Sequence, residues 1–272
     1  RALIGFFDTV VTGQALQLEL AAKPEGFPLI NDAFEHPAVD PGEVIANLAA
    51  RGMNWDDGLE RAAANKGMNM GNSDALLGTI AVALMFVESD GSIDADQYTW
   101  TMTARDEVIN QVLSGASWWS SKAASFGKSV TFQVTSYSPD QPAMRQGYEP
   151  ITRASTSDSL WIGAVMSNLG YSGDKFSQVT AFNNWMKNSK AADWAYTCFF
   201  CYNPSPAPTR FTNNYFAYAY LGGPYAQFLY RNNGWAVSDI WKIFAHETGH
   251  IFWACDEYYQ AGYGGCTSCN AC

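Results

Sequence analysis

Thr79-Ile80-Ala81-Val82-Ala83-Leu84-Met85-Phe86-Val87 is the stretch from which the fold of this chain can be predicted. Every residue after Thr79 is apolar, without the alternation of a half-exposed strand. An apolar run of this length, bounded by turn residues, is typical of a strand buried on both faces of a parallel sheet. It is far shorter than the roughly 20 residues that a membrane-spanning helix needs.

The patterns beyond this run alternate between helix and strand. Further strands are predicted at 129–136 and 194–202, and a hairpin at 215–221 and 225–231 around Gly222-Gly223-Pro224. Helices are predicted at 103–124, 157–168 and 174–190, with a last one beginning near Ser238 and Asp239, both good N-cap residues. This order predicts an α/β fold in which a mixed, mostly parallel sheet with an antiparallel edge strand packs on helices.

Composition and charge narrow the possible partners. The chain has 272 residues, of which 47% are hydrophobic and 15% charged, so a large core is easy to build. Its net charge of −10 argues against nucleic acid or an anionic membrane surface as the main partner. We also expect no membrane span, and the sequence carries no signal of oligomeric state.

The chain divides into two parts. Residues 1–74 combine helix-like stretches at 44–51 and 59–66 with loops rich in Pro, Gly and Asn. A pro-segment, an N-terminal subdomain and a wrapping arm all remain open for this part. Residues 75–272 contain the alternating pattern and are expected to form the main domain.

The six cysteines all lie in the last 75 residues, at positions 198, 201, 255, 266, 269 and 272. An even number favours disulfide bonds and an oxidising compartment, and therefore a secreted protein, extracellular or periplasmic. The alternative is a second, structural zinc at Cys266, Cys269 and Cys272 together with another cysteine. Disulfides are favoured, because three thiolates do not complete a tetrahedral site.

His246-Glu247-Thr248-Gly249-His250 is the motif that carries chemistry. Histidines four apart on a helix are about 40° apart around its axis and about 6 Å along it, so both rings can converge on one zinc ion. Glu247 projects at a neighbouring angle and can act as general base toward a water that the metal activates. The chain has only three histidines, and two of them are in this motif.

A catalytic zinc needs a third protein ligand, and Asp256 is the candidate. On a continuous helix Asp256 would lie about 15 Å beyond His246 and on another face. We therefore expect the helix to break soon after His250.

The spacing His-Glu-x-x-His-x-x-x-x-x-Asp resembles the metzincin zinc peptidases with Asp as third ligand, as in snapalysin. Asp256-Glu257-Tyr258 is also similar to the sequence after the motif in immunoglobulin A-cleaving bacterial metallopeptidases. The resemblance extends more loosely over residues 77–260. It implies a zincin-type fold, zinc on His246, His250 and Asp256, and Glu247 as base.

The resemblance also implies a strand that pairs with extended substrate at the edge of the sheet. The candidate lies within 215–220, which makes Tyr215, Phe216, Ala217 and Tyr218 the expected substrate-binding residues through their main chain.

Two positions depart from the metzincin pattern. Trp253 occupies the place of a glycine that turns the chain with positive φ, and no methionine follows Met186 to form the methionine-containing turn beneath the zinc. The turn is built differently, or Glu257 is the third ligand, or the site is impaired. The floor of the site would otherwise belong to a portion beyond residue 272, which would make the chain a fragment.

The sequence therefore predicts a secreted zinc endopeptidase whose partner is a protein or peptide substrate. Two alternatives stay open. One is a catalytically impaired binding module that keeps the zincin fold, and the other is a zinc amidase that acts on a non-protein amide.

Overall fold

A computed structural model describes residues 73, 76–95, 98–220 and 222–254, together with the main chain of 7–11. Its strands are β1 (Phe7–Val11), β2 (Gly78–Ser89), β3 (Val130–Tyr137), β4 (Arg145–Gln146), β5 (Trp194–Cys201), β6 (Ala217–Ala219) and β7 (Tyr225–Leu229). Its α-helices are α1 (Met102–Ser125), α2 (Ser159–Asn168), α3 (Lys175–Ser189) and α4 (Ile240–Ile251). Short 3-10 turns lie at Pro142–Met144, Pro150–Thr152, Ser155–Ser157 and Val237–Asp239.

The sheet is mixed and mostly parallel, in the order β1-β3-β2-β5-β7-β6 within the described residues. β2, β3, β5 and β7 run parallel, whereas β1 and β6 are antiparallel to their neighbours at the two edges. Strand β4 pairs with the end of β2 outside this path. The predicted α/β class with an antiparallel edge strand is confirmed at this level.

Strand β2 is buried on both faces, as its apolar run predicts. Residues 80–87 are each at most 2% exposed, and the strand pairs along its length with β3 on one side and β5 on the other. It is therefore the centre of the sheet, with helices covering both faces.

Neighbouring side chains of β5 show which helices cover which face. The Tyr196 hydroxyl lies 2.8 Å from the Thr248 hydroxyl of α4, while the next residue, Thr197, donates to Asn183 of α3 at 2.7 Å. Successive side chains of a strand point to opposite faces. Helices α4 and α3 therefore lie on opposite faces, with α1 beside α4 and α2 beside α3.

The start of α4 differs from prediction in one detail. Asp239 stands at the N-cap position, but its carboxylate pairs with the Lys242 ammonium at 2.9 Å instead of capping the helix. A preceding 3-10 turn, Val237–Asp239, leads the chain into the helix. The capping residue therefore predicts the right place for the helix to begin, although its side chain has a different role there.

The N-terminal part bears on the domain prediction at one point. Residues 7–11 pair antiparallel with β3 and so extend the sheet of the main domain at its outer edge. The helix-like stretches at 44–51 and 59–66 lie outside the described residues. Among the helices that the structure does describe, none has the length and apolar composition to cross a bilayer.

The close approach of α1 to α4 depends on Gly115. A Cβ atom there would lie 2.7 Å from the Trp241 carbonyl oxygen and 2.7 Å from the Phe244 ring. Main-chain oxygen cannot swing aside as a flexible side chain can, so any larger residue pushes α4 away from α1.

We expect Gly115→Ala to lower the free energy of unfolding, because overpacking costs about 1–3 kcal/mol. Gly163→Ala in α2 is the matched control, since its Cβ would meet only a side-chain oxygen of Gln178 at 3.7 Å. The Gly163→Ala protein should gain roughly 0.5–1 kcal/mol in free energy of unfolding, because alanine reduces the backbone entropy of the unfolded chain. Urea unfolding measures both variants, and a Gly115→Ala protein as stable as the control would contradict the close packing.

Candidate metal centre

Helix α4 presents His246 and His250 one turn apart on the same face. The two Nε2 atoms are 2.9 Å apart, and the ring planes are nearly perpendicular, at 86°. Both residues are buried. The two rings thus converge on one point, as the motif predicts.

The spacing of these nitrogens fits a zinc ion with little adjustment. Two imidazole nitrogens at 2.0–2.1 Å from a tetrahedral zinc are about 3.3 Å apart. The present separation of 2.9 Å is about 0.4 Å shorter than that value.

The tautomer of His250 follows from its second contact. Its Nδ1 lies 2.7 Å from the Ala254 carbonyl oxygen, which can only accept a hydrogen bond. Nδ1 must therefore carry the proton, and Nε2 presents a lone pair toward His246. A backbone carbonyl that orients a histidine in this way is typical of metal ligands.

Glu247 is the chemically unusual residue of the helix. It is fully buried, and neither carboxylate oxygen has a hydrogen-bond partner among the residues that the structure describes. A buried polar group without a partner costs about 1–3 kcal/mol, and a charged one costs more. The structure thus places an unsatisfied carboxylate at the position of the expected base.

Hydrogen bonds join helix α4 to its neighbours in the fold. The Trp119 indole nitrogen donates to the Ala245 carbonyl at 3.0 Å, and Thr248 joins Tyr196 of β5.

Burial raises the pKa of the Cys198 thiol, and the nearby Glu247 carboxylate raises that pKa further. Cys198 is therefore a neutral thiol at physiological pH.

Helix α4 ends at Ile251, one residue after the second histidine, as the geometry of a third ligand demands. The Ala254 nitrogen donates to the Gly249 carbonyl at 2.9 Å and the Trp253 nitrogen to the His250 carbonyl at 3.1 Å. This pair of bonds is a Schellman motif, in which the left-handed position is usually glycine.

Trp253 adopts that left-handed conformation, with φ of +70°. The chain therefore turns with positive φ at the position where the resemblance implies a glycine, although a bulky residue there costs about 1–2 kcal/mol. The alternatives raised by Trp253, namely a differently built turn, Glu257 as third ligand or an impaired site, stay predictions.

The third ligand remains a prediction. Asp256 and Glu257 lie outside the described residues, and within those residues no group of three or more potential ligands is assembled. His246 and His250 would supply two ligands of the expected zinc site. The fold thus brings together the two histidines and Glu247 on one helix.

The predicted substrate strand is at the edge of the sheet, next to α4. Phe216, Ala217 and Tyr218 are buried, and Tyr215 is half-buried, so their side chains offer a substrate little surface. The Phe216 carbonyl and the Tyr220 N–H bond to β7. By the alternation of an antiparallel pair, the main-chain groups of Ala217 and Ala219 point away from β7.

A buried network behind this strand has no counterpart in the sequence patterns. Asp158 is fully buried and accepts from the hydroxyls of Tyr218 and Tyr225, while the Lys175 ammonium lies 2.6 Å from its other oxygen. Burial and the Asp158 carboxylate raise the pKa of both tyrosines. The Tyr218 side chain therefore anchors β6 from within, while its main chain lies opposite Gln227 of β7.

Two of the six cysteines fall on β5. Cys198 and Cys201 are buried free thiols in the part of the chain that the structure describes. A strand places residues three apart on opposite faces, which separates the two sulfurs. Cys255, Cys266, Cys269 and Cys272 lie outside the described residues, and their pairing stays a prediction.

Comparisons with known proteins place no constraint on this site. No protein-family model matches the chain, and neither a curated protein nor a solved structure matches it. Any functional assignment therefore rests on the geometry of α4 and its neighbours.

Proposed function

We propose that the protein is a zinc-dependent endopeptidase of metzincin-like type. One observation carries this proposal: the Nε2 atoms of His246 and His250 converge to 2.9 Å, while the buried Glu247 carboxylate on the same helix has no partner among the described residues. A core helix has no reason to bury an unsatisfied carboxylate beside two converging imidazoles. A zinc centre gives all three residues a role.

Each residue has a defined task in this proposal. Bound zinc would supply a Lewis acid that polarises the scissile carbonyl and lowers the pKa of water toward about 7. Glu247 accepts the proton of the attacking water on a carboxylate oxygen and passes it to the departing amine. His250, fixed as the Nδ1–H tautomer by Ala254, keeps its Nε2 lone pair available as a ligand.

The architecture around the helix supports a peptide substrate. The resemblance implies an antiparallel strand at the sheet edge that pairs with extended substrate, and β6 occupies such an edge beside α4. Its main-chain groups at Ala217 and Ala219 point away from β7 and would be the ones to pair with a peptide main chain, once the cover that leaves these residues 3% and 7% exposed moves aside. This favours a peptide over other amides.

The third ligand in this proposal is Asp256. The Schellman turn at Trp253 stops the helix and redirects the chain within six residues of His250, as a ligand at Asp256 requires. Secretion and disulfides among the last four cysteines belong to the same proposal.

Removal and return of zinc tests the proposal. Protein treated with a chelator should lose hydrolysis of an unstructured protein such as casein, and one equivalent of zinc should restore it. Mass spectrometry of the products should show internal cleavage. Serine-protease inhibitors serve as the control for a contaminating enzyme and should have no effect. Activity that survives in zinc-free protein would overturn the assignment.

A further inference from the structure

Trp253 forms the turn after α4 and also contacts a second segment of the chain, at Gly222. A Cβ atom built on Gly222 would lie 2.3 Å from the Trp253 indole ring, so the ring lies directly against the main chain of that glycine. Gly222 belongs to the turn that follows β6, and its own φ is +77°. The absence of a side chain at 222 is what makes room for the indole.

The same turn is bonded to the second histidine. The Gly222 nitrogen donates to the His250 carbonyl at 2.9 Å, and the Gly222 carbonyl accepts from the Ser73 hydroxyl at 2.8 Å. The His250 ring is held at its other end by the Ala254 carbonyl, one residue beyond Trp253. His250 is thus fixed through its main chain by one turn and through its ring by another.

We propose that Trp253 is a positioning residue for the metal site: its indole clamps the Gly222 turn against the end of α4 and thereby sets the orientation of the His250 ring. The inference rests on the proposed zinc function, but it can be tested in zinc-free protein. It explains why a residue with an unfavourable left-handed conformation stands where glycine would be relaxed. It also ties the strand β6 to a zinc ligand through one contact.

Trp253→Gly separates this role from that of a simple turn. Glycine keeps the positive φ and removes the strain. If Trp253 served only to form the turn, the Trp253→Gly protein would be at least as stable as the wild type and would bind zinc with unchanged affinity. Loss of the clamp should instead raise the zinc Kd by on the order of tenfold, the lower end of what is lost when a residue that orients a metal ligand is removed. Trp253→Phe retains a ring and should recover most of the affinity.

A spectroscopic readout reports on the clamp without metal or activity. In zinc-free protein, nitrogen NMR of His250 should show one tautomer with Nδ1 protonated. In Trp253→Gly we expect averaged nitrogen shifts, because the ring is no longer held on Ala254. Cobalt-substituted protein should likewise show an altered visible spectrum.

Gly222→Ala tests the contact from the other side. Gly127→Ala is its matched control, because Gly127 has a similar φ of +67° and a Cβ atom there would meet nothing within 4 Å beyond its chain neighbours. Gly222→Ala should reproduce the NMR change and the loss of affinity, whereas Gly127→Ala should not. Combined with Trp253→Gly, Gly222→Ala should add no further loss.

The outcomes distinguish this inference from the proposed function. If wild-type protein binds no zinc, the proposed function fails, and the NMR comparison still decides whether Trp253 orients His250. If wild-type protein binds zinc, and the Trp253→Gly protein has the same His250 tautomer and the same zinc Kd, Trp253 does not orient His250. The proposed zinc site would be unaffected by that result.

Discussion

Glu247→Gln should lower kcat for peptide hydrolysis by on the order of 10²–10⁴-fold while leaving the zinc content unchanged. Glutamine has the shape of glutamate but cannot accept the proton of the attacking water. The buried position of Glu247 leaves no room for bulk water to take over that task. KM should change little, because Glu247 is assigned to proton transfer and not to substrate binding.

The same substitution has a second expected effect. In zinc-free protein, Glu247→Gln removes a buried carboxylate that lacks a partner among the described residues, so the free energy of unfolding should rise or stay level. Asp140→Asn, in an exposed turn, is the control for loss of one negative charge outside the site. Peptide cleavage and urea unfolding measure both effects, and a Glu247→Gln enzyme with near-wild-type kcat would exclude Glu247 as the base.

His246→Ala and His250→Ala should each abolish stoichiometric zinc binding and, with it, hydrolysis. Removal of a residue that only orients a ligand lowers metal affinity by about 10–100-fold. Removal of a direct ligand is expected to lower the affinity further. The two Nε2 atoms face each other, so removal of either ring leaves one imidazole without its counterpart. Zinc content after dialysis is the measurement.

The third histidine of the chain provides the control for this experiment. His36, in Glu35-His36-Pro37, lies outside the motif and outside the described residues, and His36→Ala should keep its zinc. Asp256→Asn and Glu257→Gln, measured in the same way, decide between the two candidates for the third ligand. Retention of zinc by His246→Ala and by His250→Ala together would remove the basis of the site.

The elements that could be predicted are those whose signal is local. The run in β2 is apolar at every position after Thr79 up to Val87, and the predicted helix at 103–124 differs from α1, Met102–Ser125, by one residue at each end. The hairpin around Gly222-Gly223-Pro224 is equally predictable, since both glycines take positive φ. Hydrophobic pattern and turn chemistry are sufficient to predict an element when its contacts are made by residues that are close in sequence.

The features that could not be predicted depend on contacts between distant segments. Asp158 and Lys175 meet Tyr218 only in the folded chain, and no pattern near any of them indicates a buried ion pair. Strand β1 pairs with β3, more than a hundred residues away in sequence. Trp253 is a departure from the metzincin pattern when only its neighbours are considered, because the glycine that accommodates its ring lies 31 positions earlier.

X-ray absorption at the zinc edge, on protein loaded with one equivalent, tests the central claim most directly. We predict two imidazole nitrogens at about 2.0–2.1 Å with oxygen completing the shell, and a spectrum that loses imidazole scattering in His246→Ala. Sulfur scattering at about 2.3 Å without imidazole would place the metal on the C-terminal cysteines and contradict the assignment of a catalytic zinc to α4.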